Sequence, residues 1–387
     1  MDEYPLQVFY RVRASEEKVH EIAQEIAIEQ TVEVTRPLWD VDGVRDKTTG
    51  KVVDVARVNK NLFDITIAYP LSTTSYEIPQ VLNVIYGNIS LKRGIRVQDF
   101  SLNQAMAKAF GGPRFGIDGI RKKLSVYDRP LVASALKPIG RSIDELCAFA
   151  NKMAMGGIDV IKDDHGFSNQ EVAPFEKRVM LCARAVKEGA QKGGNNTLYF
   201  ASITSPADEI LHRALFAKAC GADGVLLPPM IVSLDTMRLI RDRAGMMVMA
   251  HPALSGVFFL TKSHGIALEV LLGKLFRLCG ADIVIFPSSG GRFPFTTRDC
   301  KAIVSHLLCD LWSIKRTFPC PAGGMKIEGL IRHIKIHGTD SMLLIGSSLY
   351  EQSEDLERNT KLLMSAVKRI SEKVQKGLSV QGQKEDM

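Results

Sequence analysis

The sequence predicts an α/β protein: an N-terminal ferredoxin-like α+β sandwich followed by a (β/α)8 TIM barrel. Three observations carry that expectation. The 387 residues are more than one small domain needs. A mixed order of strand and helix patterns fills the first third, and from Leu131 it gives way to short continuous apolar runs, each followed by a helical pattern. The composition, 45% hydrophobic and 24% charged, is that of an ordinary globular chain with ample core material, which excludes disorder for most of its length.

In the first third, Leu6 to Val12 alternates apolar and polar residues as a half-buried strand does, and Glu16 to Glu29 has helical periodicity. Gly50 to Val58 and Leu62 to Ala68 read as two strands around a turn. Glu77 to Tyr86 reads as a helix and Leu91 to Phe100 as a further strand. Strand, helix, two strands, helix, strand is the order of a split βαβ sandwich. A loop-rich and then helical connector, FGGPRFGIDGIRKKLSVYDRP, follows. The boundary is placed near residue 125, giving domains 1–125 and 126–374 and a polar tail over 375–387.

The apolar runs of the second domain are 131–136, 158–161, 198–202, 224–228, 246–250, 282–286, 320–323 and 341–346. Continuous apolar strands are what a parallel sheet buried on both faces requires. Eight of them alternating with helices over about 250 residues make a barrel the expected closure.

Charge and cysteine usage narrow the function. Fifty basic residues against 43 acidic ones leave a net +7 without a basic block, which suits small anionic substrates better than nucleic acid. No apolar run is long enough to span a membrane. Seven scattered cysteines without a CxxC pair, and an acidic start unlike a signal peptide, point to reduced thiols in the cytoplasm.

Barrel chemistry gathers at the C-terminal ends of the strands. Those ends carry Lys137, the stretch Lys162-Asp163-Asp164-His165, His251, Arg292, Gly323-Gly324 and Gly346-Ser347. Alternation at a strand end brings Lys162, Asp164 and His165 together. A lysine ammonium has no lone pair for a metal, but addition of CO2 to the amine gives an anionic carbamate, which together with Asp164 suits Mg2+. Lys137 beside such a cation is suited to act as general acid or base at an enolisable carbon. The amides of Gly323, Gly324, Gly346 and Ser347 follow the seventh and eighth strands, where many barrels hold a phosphate. His251 reads as a proton shuttle or a hydrogen-bond donor to substrate, and Arg292 as an anion clamp.

With these residues in view, the chain resembles the ribulose-bisphosphate carboxylase superfamily, and within it the non-carboxylating RuBisCO-like proteins of form IV. In that family GG-x-D-x-x-KDD-E carries a carbamylated lysine and two acidic metal ligands. Lys162, Asp164 and His165 stand in the three ligand positions, and Lys137 matches the lysine that handles the proton of the enolising carbon. The resemblance further implies a homodimer with shared active sites, to which the partner subunit contributes a glutamate and an asparagine, matched by Glu29 and Asn88.

Departures from the family define the expected activity. Arg292 replaces the lysine that stabilises a carboxylated intermediate, so carboxylation of ribulose bisphosphate is not expected. Pro252 follows His251 where the family has an arginine of its second phosphate site, which implies a monophosphate substrate. His165 replaces the last acid of the motif: either the metal remains with altered affinity, or His165 is an acid–base group. The KDDH stretch looks more like the subgroup acting on 3-oxo-isoapionate 4-phosphate. The resemblance therefore implies decarboxylation, or carboxyl transfer and hydrolysis, of a phosphorylated keto-sugar acid. The alternatives are an enolase or isomerase acting on a methylthio-pentulose phosphate in sulfur salvage, and a non-catalytic dimeric scaffold.

Overall fold

A computed structural model describes residues 3–34, 38 and 45–377; from residue 378 onward the expected polar tail lies outside the described residues. The chain divides into two compact units, one of Met1–Gly112, Ala253–Cys279 and Asp310–Ile314, the other of Pro113–Pro252, Gly280–Cys309 and Lys315–Met387.

The first unit has the expected βαββαβ order: β1 (Leu6–Arg13), α1 (Val19–Glu29), β2 (Lys51–Asn59), β3 (Leu62–Tyr69), α2 (Ile78–Tyr86) and β4 (Ile95–Leu102). The strands lie in the order β4-β1-β3-β2, and each of these pairings is antiparallel. In β1 the residues Leu6, Val8, Tyr10 and Val12 face the core and the intervening ones do not, which is the period of two read from the sequence. The Tyr10 hydroxyl donates to the carbonyl of Ile85 at 2.9 Å and meets the Tyr69 hydroxyl at 2.9 Å, tying sheet to helix. The last strand begins at Ile95 rather than Leu91, because Asn88–Leu91 turn as a short 3-10 helix and Gly94 takes a φ of 78° before the strand starts. A two-residue strand, β10 (Gly265–Ile266), adds to β4 in parallel.

The second unit is an eight-stranded parallel sheet, ordered β12-β11-β9-β8-β7-β6-β5-β13. Its strands are β5 (Leu131–Leu136), β6 (Val160–Asp163), β7 (Leu198–Ser202), β8 (Gly224–Leu227), β9 (Met247–Ala250), β11 (Ile283–Pro287), β12 (Phe318–Ala322) and β13 (Met342–Leu344). The eighth strand pairs back onto the first through Met342, Leu343 and Leu344, so the sheet curls into a nearly closed barrel. Two strands start two residues away from the start of their apolar runs. The second starts and ends two residues later than expected, which puts Lys162 and Asp163 inside the ladder rather than after it. The seventh starts at Phe318, because Pro319 and Pro321 still accept hydrogen bonds in a parallel ladder although they cannot donate.

The barrel unit also begins earlier than the boundary near residue 125. Helix α3 (Gly116–Leu124) buries Ile117, Ile120 and Leu124 in the core cluster of Leu131, Val160, Leu198, Met247, Ile283, Phe318 and Met342, which are the first residues of their strands. The amides of Phe115 and Gly116 donate to Asp282 at 2.7 and 2.8 Å, anchoring the start of α3 to the same unit.

At the N-terminal ends of the strands a Gly-x-Asp triplet recurs: 157–159, 221–223, 280–282 and 338–340, before the second, fourth, sixth and eighth barrel strands. Each glycine has a positive φ, between 72° and 110°, which turns the chain into the strand. Three of the aspartates then accept the amide of the neighbouring strand: Asp159 from Val132 at 2.8 Å, Asp223 from Tyr199 at 3.0 Å and Asp282 from Val248 at 2.9 Å. Asp340 instead binds Arg121 and Arg316.

Candidate active site

Period two along β6 sends Lys162 and Asp164 to one side and Asp163 to the other. Asp163 is fully buried, accepting from Arg178 Nε at 3.1 Å, from the Tyr199 hydroxyl at 2.8 Å and from the Ser202 amide at 3.0 Å. Arg178, on helix α5 (Phe175–Gly193), also donates to the carbonyls of Ser168 and Ala173, so one ion pair clamps β6, β7 and the loop after β6. In the sequence Asp163 figured only as a member of the KDDH stretch and Arg178 did not stand out; the signal for the pair was an arginine on the buried side of the helix that follows.

On the opposite side, Lys162 is 2% exposed and, among the described residues, its ammonium makes a single hydrogen bond, to the carbonyl of Asp163 at 2.9 Å. Burial pushes its pKa down to about 8 even with Asp164 nearby. Burial also opposes ionisation of Asp164, but the Lys162 ammonium, the Gly166 amide at 3.0 Å and Lys137 outweigh it and hold this carboxyl below its ordinary range. Lys137, directly after β5, reaches Asp164 Oδ2 at 3.2 Å. The strand end below it is fixed by the Tyr350 hydroxyl, which donates to the carbonyl of Ala135 at 2.8 Å.

His165 Nδ1 lies 3.3 Å from Asp164 Oδ1, and its ring stacks on His251 with centroids 3.9 Å apart and planes 7° from parallel. Burial lowers the pKa of both imidazoles, well below the usual range for His251, so near neutral pH the stack is uncharged. The Arg292 guanidinium acts on His165 in the same direction as burial.

The phosphate candidates rest on backbone contact. A Cβ at Gly291 would stand 2.0 Å from the carbonyl oxygen of Gly323, and one at Gly324 would stand 3.2 Å from the Gly291 Cα, so the close approach of these loops needs glycine at these positions. Gly291 was missed as a partner of Gly323 and Gly324, although the GGR sequence beside Arg292 held the clue. The Ser348 hydroxyl donates to the carbonyl of Met325 at 2.7 Å, linking the Gly346-Ser347 turn to the loop after β12, and around Gly346 the space a Cβ would take is open. In the other unit, Asn88 Nδ2 donates to Glu29 Oε1 at 3.1 Å, so the two residues matched to a partner contribution form one pair.

Among the described residues no three His, Cys, Asp or Glu side chains are grouped to hold a metal. Asp164 and His165 offer two donors, to which a carbamylated Lys162 would add a third. A buried amine with one hydrogen bond and a pKa of about 8 is suited to that conversion, since CO2 adds to the neutral amine. The donor set fits the cation on those terms. No helix among the described residues is long and apolar enough to cross a membrane.

Comparison with known proteins agrees with this architecture. The family profiles described as ribulose bisphosphate carboxylase large chain, N-terminal domain and catalytic domain match residues 2–106 and 116–292. Among curated relatives, the ribulose bisphosphate carboxylase-like protein 1 of Rhodopseudomonas palustris is 38% identical over 90% of this chain and 94% of its own. The 5-methylthioribulose-1-phosphate isomerase of Rhodospirillum rubrum is 35% identical over 94% of this chain and 96% of its own. The 2,3-diketo-5-methylthiopentyl-1-phosphate enolase of Geobacillus thermodenitrificans is 34% identical over 81% of this chain and 80% of its own. Among solved structures, the Rubisco-like protein from Rhodopseudomonas palustris superposes with a TM-score of 0.85 at 32% identity, covering 99% of this chain and 100% of the other.

Proposed function

This chain belongs to the ribulose bisphosphate carboxylase large-chain family, and from that premise we propose that it is a RuBisCO-like enzyme that enolises a singly phosphorylated ketose without fixing CO2. The observation that carries the reading is the convergence of Lys137, Lys162, Asp164 and His165 around one carboxylate at the barrel mouth.

Carbamylated Lys162, Asp164 and His165 would hold Mg2+ or a similar divalent cation, which when bound supplies a Lewis-acid contact to the ketone oxygen. Asp164 orients both neighbours: it holds the Lys137 ammonium by its Oδ2 and His165 Nδ1 by its Oδ1. In the tautomer that donates from Nδ1, His165 keeps its Nε2 lone pair for the cation. Lys137, once its ammonium has given up a proton, is the group that takes the proton from the carbon beside the ketone and leaves an enolate; protonation of the oxygen then completes an enolisation, whereas return of the proton to the former ketone carbon completes an isomerisation. The uncharged His165–His251 stack forms a flat wall without a second positive charge, and Pro252 offers no guanidinium, so a second phosphate has little to hold it. The amides of Gly323, Gly324, Gly346 and Ser347, with Arg292, bind the one phosphate.

The relatives named for methylthio-pentulose phosphates favour an isomerase or enolase of that substrate class over the decarboxylase read from KDDH. Loss or transfer of a carboxyl group from a 3-oxo-isoapionate 4-phosphate type of acid stays as the second reading, because His165 in the last motif position is what set that subgroup apart. The test is incubation in D2O with Mg2+ and bicarbonate. Deuterium uptake into 5-methylthioribulose 1-phosphate, lost in Lys137→Met, is expected. Release of CO2 from the keto-sugar acid without exchange in the pentulose phosphate would replace the first reading by the second.

A further inference from the structure

Two cysteines outside the site lie side by side on neighbouring helices. Cys147, on helix α4 (Ile143–Met155), and Cys182, on α5, are free thiols with their sulfurs 3.9 Å apart. Cys182 is buried, whereas Cys147 is partly exposed. The helices meet along one seam. Cys147, Asn151 and Ala154 recur at helical spacing on α4, and Cys182, Ala185 and Gly189 on α5. Asn151 Nδ2 donates to the carbonyl of Ala185 at 3.0 Å, and a Cβ on Gly189 would stand 2.4 Å from the carbonyl oxygen of Asn151. Such close backbones are the condition a disulfide imposes, with Cα atoms no more than about 7 Å apart.

The chain between the two cysteines is the segment that matters for the site. It contains the whole of β6 and with it Lys162, Asp163, Asp164 and His165, while Arg178, which holds Asp163, lies one turn before Cys182. We propose that Cys147 and Cys182 are an oxidant-reactive dithiol whose disulfide staples the segment carrying the active-site cluster. With a peroxide as oxidant, the Cys147 thiolate attacks the O–O bond, an S–O bond forms and hydroxide leaves to become water. The Cys182 sulfur, as its proton leaves, then attacks the Cys147 sulfenic acid, forming the S–S bond and releasing a second water. Two thiols and one hydrogen peroxide thus give one disulfide and two waters, and a dithiol reductant reverses the change. Exposure selects Cys147 as the first thiol, and the hydrogen bond from Cys182 pulls its pKa down in the same sense.

The experiment treats the full chain, natively folded, with hydrogen peroxide, then alkylates free thiols and maps peptides without reduction. A cross-linked peptide joining Cys147 to Cys182, absent after dithiothreitol, is expected. In Cys182→Ser a sulfenic acid should instead be trapped on Cys147 by dimedone. The exposed Cys309 reports that the oxidant was active. Oxidation of Cys309 with no 147–182 peptide would overturn the proposal. The disulfide should raise the thermal midpoint of the wild type by about 5 °C, with no shift in Cys182→Ser. A cross-link that leaves the midpoint unchanged or lowers it would refute the stapling.

Discussion

Lys162 reaches its chemistry through burial. Burial in the barrel wall pushes the pKa of its amine down to about 8, and the neutral form is the one that attacks CO2. Asp163 works from the other side of the strand, and Asp163→Asn breaks a fully buried ion pair with Arg178. That substitution should cost about 3–5 kcal/mol in urea unfolding. Unlike a purely structural loss elsewhere, it should also weaken Mg2+ uptake, read by calorimetry under conditions where the variant remains folded. A second residue-scale effect lies away from the site, on helix α6 (Leu330–His337), where His333 and His337 stack with ring centroids 6.1 Å apart and burial lowers both pKa values to about 4. Unfolded histidine titrates near 6.5, so the folded state binds protons less readily. The stability this gives is complete above about pH 6.5 and is lost as pH falls towards 4. Chemical denaturation at pH 7 and pH 5 should show a loss of roughly 2 kcal/mol for each buried histidine, and His337→Phe should remove one share of that slope. The KDDH cluster was legible in the sequence because its members are neighbours at a strand end. The stack of His165 on His251 was not, because it joins residues from the second and fifth strands that only barrel closure brings together.

The sandwich was legible from alternation, and the barrel from its continuous apolar runs, since both patterns are local. What escaped is how the strands are registered. The Gly-x-Asp triplets look like turns, yet their carboxylates reach the amide of the adjacent strand, a contact that depends on sheet order. Asp159 also takes a two-pronged hydrogen bond from Arg129 at 2.7 and 2.8 Å. Asp159→Asn should therefore lower stability by about 2–4 kcal/mol, while Asp128→Asn, on an exposed side chain nearby, should stay within about 0.5 kcal/mol. Guanidinium melts of the two variants make the comparison. The end of β6 was misplaced by two residues because Lys162 and Asp163 look like loop residues by polarity, although both are buried. Residues 253–279 group with the N-terminal unit for a related reason: β10 pairs with β4, which no local pattern announces.

For the whole molecule, the family resemblance that matches Glu29 and Asn88 to a partner's contribution implies a site completed by a second copy of the chain. If sites are shared, Glu29→Gln and Lys162→Met chains should each be inactive alone. Co-expressed, they should regain about a quarter of wild-type deuterium exchange, because half of the assemblies are mixed and one of the two sites in each is intact. Recovery of none would place Glu29 and Lys162 in the service of the same chain's site.

The proposed chemistry depends on the amine of Lys162 becoming an anionic ligand beside Asp164. Retention of 13C-labelled CO2 by the protein, measured by 13C NMR with and without Mg2+, tests this most directly. One carbamate carbon per chain, stabilised by Mg2+ and absent from Lys162→Met, is predicted; Mg2+ binding that is indifferent to CO2, with no label retained on Lys162, would contradict it.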